Sequence, residues 1–471
     1  MPKVYISADS WKDSSQTAEP GYFYGPGPTY GSPVEFDPAG DGDSFAGFWS
    51  ASNTRGVFVW GGALYKMLQR DFAASGAPHL LITKSTDDGL TWSVLDSANS
   101  PVVFGVGHFG DTSSKVYCAL SVSGSIVLQN FDLTTETWGT VYGTTLAPVI
   151  SAGSGDLSIR CVWLRPNNTL LVMYDSKTGF PLGTGFGGAA YDLTGGTWGT
   201  PFDCGANLMG LLGWDAGTGW DSITPSTFQS SVMDASGIVH LFFQTSSLRS
   251  SPVFWGNRCF YQAINPDNSL GSFYDFPGQV APLPLWNGSS PTQDLTSYAG
   301  SPMGKPVIVG DMIVLPVLNV NLSPAWPAGD PWPQQLANVY IGTPVSAPVW
   351  TKDSTKTIDP EALIIDPINY TNEMLWPQEA PFLSFNGTTI YAIFPSQDYD
   401  GQNYGRLRLC QTTNLASPAD GWTSATVFDE QVDASPTGFQ FSTQVLIAPT
   451  ILAPLAAPPP LLTDPWLWVM T

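Results

Sequence analysis

Apolar and polar positions alternate in short runs along this chain, and turn residues separate the runs. SVMDASGIVHLFFQ (231–244), KPVIVGDMIVLPVL (305–318) and FLSFNGTTIYAIF (382–394) each set two apolar runs around glycine with aspartate, asparagine or serine. Those residues favour tight turns, so each segment predicts a β-hairpin. No stretch longer than about ten residues keeps a 3.6-residue apolar period, so helix is expected to be sparse. The pattern predicts an all-β chain of many short strands.

A second pattern repeats. The segment STDDGLTW (Ser85–Trp92) lies between two strand-like runs, and degraded copies follow it. FDLTTETWGTVYG (131–143) and YDLTGGTWGTPFD (191–203) share an Asp-Leu-Thr-x-x-Thr-Trp-Gly-Thr core, which is evidence of internal duplication. Weaker copies at 259–276, 339–353 and 407–429 place Phe273, Trp350 and Trp422 where the first three place Trp92, Trp138 and Trp198. With the hairpins ahead of most landmarks, each unit supplies about four strands.

Six such units predict a six-bladed β-propeller over residues 45–447, in which radial repetition leaves few exposed strand edges. Seven blades is the alternative, should the N-terminal arm (1–44) add strands to another blade. The late run FSTQVLIAP (441–449) is expected to close the ring by adding a strand to the first blade. The arm is rich in Gly, Pro and Tyr and reads as extended or turn-rich. The tail (448–471) mixes prolines with leucines, Trp466 and Trp468. Proline excludes regular helix and sheet there, and so apolar a segment is expected to pack on its own domain or on another chain of a larger assembly.

Composition narrows the function classes. The 471 residues carry 39 acids against 17 bases, a net charge of −22, and such a surface repels phosphate backbones. Nucleic acid is therefore not an expected partner. Of the five cysteines, Cys118, Cys161, Cys259 and Cys410 sit in apolar strand-like runs and Cys204 stands apart; none forms a CxxC pair. Buried free thiols are expected, rather than a disulfide framework or a zinc site. The first residues lack the apolar core of a secretory signal, and no apolar run approaches the roughly 18 residues of a membrane span. The expected location is a virion, or the extracellular space after release without a cleaved signal, with the cytoplasm as the alternative.

Ser85, Asp87, Gly89, Thr91 and Trp92 resemble, position by position, the Asp-box of the sialidase (neuraminidase) superfamily. The resemblance implies a propeller, and it implies that the motif is structural. Gly89 would permit a positive φ at the loop tip, and Ser85 and Asp87 would accept hydrogen bonds from loop N–H groups. Sialidase chemistry uses three arginines on the substrate carboxylate, a Tyr–Glu nucleophile pair and an aspartate. Its first arginine sits in an Arg-Ile-Pro-like motif, and the nearest text here is Leu164-Arg165-Pro166, in about the third blade. No motif assigns three of the eight arginines to such a triad; Arg406 and Arg408 alternate on one strand and suit pairing with acids. No catalytic residue is assigned.

Other candidate chemistry is local. His240, inside IVHLFF, reads as a buried, hydrogen-bonded histidine. Asp398, Asp400 and Asn403 around Gly401, and Asp37, Asp41 and Asp43, have oxygen ligands at spacings that suit Ca²⁺. Ordinary Asx-turns explain both loops, and no cofactor is expected. Aromatic loops are more suggestive: Trp214-Asp215 and Trp220-Asp221 repeat Gly-Trp-Asp, and Trp286, Trp326 and Trp332 lie in further insertions. A flat ring beside a carboxylate suits a saccharide, the ring covering C–H faces while aspartate accepts hydroxyl hydrogen bonds. The expectation is a non-enzymatic recognition or structural propeller that binds a glycan, a cell-surface receptor or another protein. By analogy it would be a bacteriophage virion component, such as a tail or receptor-binding protein. The alternative is a glycoside hydrolase of sialidase-like type.

Overall fold

The computed structural model describes residues 3–9, 22–24, 34–35, 57–72, 77–97, 104–109, 114–122, 125–139, 142–146, 157–176, 186–204, 222–250, 253–276, 304–321, 334–358, 374–375, 382–397, 404–419, 421–423, 426–432 and 442–448. Three strands come first: β1 (Lys3–Asp9), β2 (Tyr22–Tyr24) and β3 (Val34–Glu35). Blade one follows with β4 (Val57–Trp60), β5 (Ala63–Phe72), β6 (Ala77–Ser85) and β7 (Ser93–Ser97). Blade two holds β8 (Phe104–Phe109), β9 (Lys115–Val122), β10 (Ser125–Asp132), and a split fourth strand, β11 (Thr137–Trp138) with β12 (Tyr142–Leu146). In blade three, β13 (Leu157–Leu164), β14 (Thr169–Ser176) and β15 (Phe186–Asp192) precede β16 (Thr197–Trp198) and β17 (Phe202–Asp203).

Blade four is β18 (Ser222–Met233), β19 (Val239–Ser250), β20 (Val253–Ile264) and β21 (Leu270–Asp275). Blade five is β22 (Val307–Val309), β23 (Met312–Asn321), β24 (Gln334–Thr343) and β25 (Val349–Ile358). Blade six splits its first strand into β26 (Met374–Leu375) and β27 (Phe382–Phe385), followed by β28 (Ile390–Gln397), β29 (Tyr404–Thr412) and β30 (Thr426–Val432). A last strand, β31 (Ser442–Ala448), ends the described chain. Neighbouring strands in every blade are antiparallel, and the six consecutive sheets form the six-bladed β-propeller that the repeats predicted.

Alternation explains the blades. In β10, SIVLQNFD, buried and part-buried positions alternate along most of the strand, as one residue in two turns to each face. Both faces are covered, because the apolar core lies between sheets rather than inside one. One cluster joins blades one and two through Tyr65, Ile82, Cys118 and Phe131. Others join blades two and three, three and four, four and five, and five and six in turn. Packing is close enough to dictate glycine at 188, where a Cβ would come within 2.5 Å of Met173 Sδ and 2.7 Å of Phe202 Cζ.

First strands of successive blades are neighbours: β8 beside β13, β13 beside β18, β22 beside β27. They form the inner wall of the ring. Both ends of the chain add one further sheet, in the order β3-β2-β1-β31, so the described residues hold seven sheets. Its strand β31 packs beside β27 and β28 of blade six and beside β4 of blade one. Ring closure therefore departs from the expected route. The run at 441–449 does form a strand, but it pairs with β1, from Lys3↔Ala448 to Asp9↔Ser442, and not with blade one. Blade one already has its first strand, β4, from its own repeat, while β1 in the arm offers a free edge. The arm thus enters a sheet that the repeats alone did not reveal.

The part of the tail beyond Ala448 lies outside the described residues. Among the described residues no helix is long and apolar enough to cross a membrane.

Candidate functional site

The Asp-box forms the connection between the third and fourth strands of blade one. Asp87 Oδ1 accepts hydrogen bonds from Thr91 N–H at 2.9 Å and Ser85 Oγ–H at 2.8 Å, and Oδ2 accepts from Thr91 Oγ1–H at 2.6 Å. Ser85 Oγ in turn accepts Gly89 N–H at 2.8 Å. Gly89 has φ +87°, the left-handed region in which a side chain is strained. Trp92 is 5% exposed and donates its indole N–H to Gly89 O at 3.1 Å. Desolvation would raise the Asp87 carboxyl, but the hydrogen bonds from Thr91 and Ser85 outweigh it and hold the group below its ordinary value. Both carboxylate oxygens are thus engaged by the loop itself.

Each copy of the motif occupies the same connection in its own blade. Asp132 accepts Thr134 N–H and Asp192 accepts Thr194 N–H, both at 2.8 Å. Asp267 accepts the N–H and hydroxyl of Ser269 at 3.0 and 2.6 Å. In blade six Asn414 stands in for the carboxylate and accepts Ser417 N–H at 3.2 Å. Residues near the loop tips take positive φ, at Glu136, Gly196, Asn268 and Gly421. The landmark aromatics pack on their blades: Trp138 edge-on to Phe131 at 5.3 Å, Trp198 edge-on to Tyr191 at 5.2 Å, Phe273 stacked on Phe260 at 5.7 Å. Trp350 meets Phe242, Tyr261 and Phe276, and Trp422 borders the core between blades five and six. At this end of the propeller the aspartates of the turns in blades one to four are engaged by their own loops, while in blade five Val345 N–H donates to Asp311 of the first hairpin at 3.0 Å.

Two buried polar groups share that end. Arg165, 2% exposed, follows β13 of blade three and reaches the third–fourth connection of blade four. Its guanidinium donates to Asn268 Oδ1 at 2.7 Å and Asn265 O at 3.0 Å, with longer contacts to Pro266 O and Ile264 O. Burial lowers its pKa to about 10. An arginine spent on main-chain carbonyls between two blades is not available to a substrate carboxylate. His240 is 0% exposed; its Nδ1 lies 2.9 Å from Tyr261 Oη and its Nε2 lies 3.7 Å from Asp234 Oδ2. Asp234 also accepts the N–H groups of Ser236 and Ile238. His240 is the buried, hydrogen-bonded histidine expected from its strand, and not a base facing a cleft.

The arginines of β29 have their Cα partners on β30: Arg406 stands opposite Glu430 and Arg408 opposite Val427. Among the described residues no group of three or more His, Cys, Asp or Glu is placed to hold a metal. Asp398, Asp400 and Asn403 lie outside the described residues, as do Asp37, Asp41 and Asp43. So do Trp214, Asp215, Trp220, Asp221, Trp286, Trp326 and Trp332. The strands that flank them are described. Antiparallel order puts the end of a second strand and the start of the third at the sheet end opposite the Asp-box connection. The same holds for the end of a fourth strand and the start of the next blade. Segments 205–221, 277–303, 322–333 and 398–403 all attach at such ends.

Sequence reasoning missed the Arg165 clamp. Its signal was the dipeptide Arg165-Pro166 at the turn after an apolar strand, but the acceptors lie about a hundred residues on, in blade four.

No protein-family model matches this sequence, and no curated relative does. Several solved structures are similar to this chain at low identity and low TM-score. The polysaccharide lyase Uly1 is 9% identical over 93% of this chain and 92% of its own, with a TM-score of 0.45. The intramolecular trans-sialidase from Ruminococcus gnavus is 11% identical over 76% of this chain and 92% of its own, at 0.34. Hydrazine synthase from Kuenenia stuttgartiensis is 10% identical over 78% and 79%, at 0.38.

Proposed function

We propose that the protein is a recognition propeller that binds a glycan, or a protein surface, at the end opposite its Asp-boxes. One observation carries the reading: Asp87, Asp132, Asp192 and Asp267 of the Asp-box connections are hydrogen-bonded within their own turns. The arginine nearest a sialidase-type motif is likewise consumed by Asn268 Oδ1 and the main-chain carbonyl of Asn265. Chemistry must then come from the other end, where the connections carrying Trp214, Trp220, Trp286, Trp326 and Trp332 attach. Paired Gly-Trp-Asp units there suit a saccharide, with ring faces for C–H groups and carboxylates for hydroxyls. Strand β31 packs between blades six and one, and segment 449–471 follows it in sequence. A tail that follows β31 suits attachment of the propeller to a larger particle, such as a phage tail.

The test pairs a glycan array with a fluorogenic sialoside assay on the full chain. Binding without turnover is expected, with Trp214→Ala and Trp326→Ala each losing about tenfold or more in affinity while the melting temperature holds. Sialoside turnover would overturn this reading in favour of the hydrolase. Absence of glycan binding combined with capture of a purified receptor protein would move the ligand class to protein.

A further inference from the structure

The tight turn between β27 and β28 of blade six carries the dipeptide Asn386-Gly387. Phe385 is the Cα partner of Ile390, and Asn386 N–H donates to Thr389 O at 3.2 Å, which closes the turn. Gly387 and Thr388 are exposed. Gly387 takes φ +93°, and a Cβ built there would meet nothing within 4 Å among the described residues. Glycine suits that backbone and leaves its own amide nitrogen without a side chain to shield it. Of the described asparagines, Asn386 alone precedes a glycine.

The Asn386 side chain is held by its oxygen. Oδ1 accepts Thr389 N–H at 2.8 Å, Thr388 N–H at 3.0 Å and Thr388 Oγ1–H at 3.0 Å. Nδ2 donates to Tyr391 Oη at a long 3.4 Å. Donors aimed at a carbonyl oxygen stabilise the negative charge that builds there when its carbon is attacked. The corresponding turn of blade four, between β18 and β19, holds an acid in the same place. There Asp234 Oδ1 accepts Ser236 N–H at 2.9 Å, Ser236 Oγ–H at 2.7 Å and Ile238 N–H at 2.9 Å. This hairpin position therefore accommodates a carboxylate as readily as an amide.

We propose that Asn386 is a self-modification site, at which the turn converts its own asparagine into an acid. The Gly387 amide nitrogen gives its proton to hydroxide and bonds to Asn386 Cγ. The Cγ–Nδ2 bond breaks, ammonia leaves, and a five-membered succinimide closes. Water then opens the ring. Cleavage between Cγ and the Gly387 nitrogen gives aspartate, which keeps the three donors and gains a charge. Cleavage between the Asn386 main-chain carbonyl carbon and that nitrogen gives isoaspartate, whose backbone is one atom longer and displaces the Phe385↔Ile390 pair. Strands β27 and β28 pack beside β31, so the second product loosens the blade that flanks ring closure.

The experiment incubates the full folded chain at neutral and alkaline pH and maps its peptides by mass spectrometry against an unincubated control. Isoaspartate is labelled with isoaspartyl methyltransferase. The mass gain of an amide-to-acid exchange is expected at Asn386 ahead of every other described asparagine. Isoaspartate should be among the products, and the rate should rise with pH because the attacking amide must lose its proton. An Asn386 peptide that keeps its mass, whatever Asn287-Gly288 does in the same digest, overturns the proposal. A gain without isoaspartate would show direct hydrolysis and overturn the ring-closing step. Thr388→Val removes one donor to Oδ1 and should slow conversion by about threefold or more. An equal or faster rate in that variant would show that the turn does not assist, and would overturn the part assigned to it. Asn386→Asp supplies the product directly, and its melting temperature should equal or exceed that of the parent chain. A lower one would refute the likeness to the Asp234 turn.

Discussion

Replacing Asp87 by alanine tests whether the Asp-box is a clip or a site. The substitution removes three hydrogen bonds, at 2.6, 2.8 and 2.9 Å. A typical protein hydrogen bond contributes about 0.5–1.5 kcal/mol net. Two of the three donors belong to Thr91, which is exposed, so water takes them over at little cost. The third is Ser85 Oγ–H, on a buried residue, which keeps only its bond from Gly89. Together these give a loss of about 1.5–2 kcal/mol, close to that of removing an aspartate cap from a helix. Asparagine keeps one oxygen as acceptor and should cost about half as much. Urea unfolding at neutral pH measures both.

The acid limb gives a second reading of the same residue. The Asp87 carboxyl is held below its unfolded value, so its contribution is complete above the ordinary aspartate range near pH 4. It is lost as pH falls through the lower folded value. Wild type should therefore lose more stability than Asp87→Asn across that fall. Glycan binding should be unchanged in both variants. A stability loss below about 0.3 kcal/mol, against the worked figure, would refute the clip. So would loss of ligand binding in a variant of unchanged stability.

Other consequences follow from the buried groups and from ring closure. Arg165→Ala should cost about 2–4 kcal/mol, since it strips buried carbonyls of a charged donor; Asn268→Gly, which keeps the positive φ of that position, should cost about 1–2 kcal/mol, and the two losses should fall short of additive in a double-mutant cycle. Cys118, Cys161, Cys204 and Cys410 are buried free thiols, with burial raising Cys118 and Cys204 and pushing Cys161 up to about 12. A thiol reagent should therefore leave all four unmodified in the native protein and titrate them only in denaturant. Deleting residues 1–9 removes β1, the strand partner of β31, and should lower the melting temperature of the whole propeller rather than fray one edge.

The repeats were legible because each blade is a local object. Its strands are consecutive in sequence, and in most blades the third–fourth turn carries its own aspartate or asparagine and leads to an aromatic residue. Period-two alternation and the Thr-Trp landmarks therefore identified the blades and the third–fourth connections without reference to anything distant. His240 was legible for the same reason, since an apolar strand on both sides of it dictates burial.

Contacts between distant segments were not legible. Seven backbone pairs tie Lys3–Asp9 to Ser442–Ala448 across the whole chain, and neither strand carries a mark that names its partner. Leu164-Arg165-Pro166 is only the nearest text to a catalytic motif, and the groups that hold Arg165 belong to a turn in the next blade. Local periodicity determined the strands, the turns and the blade count of the repeats. Ring closure and the burial of Arg165 depended on the tertiary structure, because the first joins the two ends of the described chain and the second is set by a turn about a hundred residues further on.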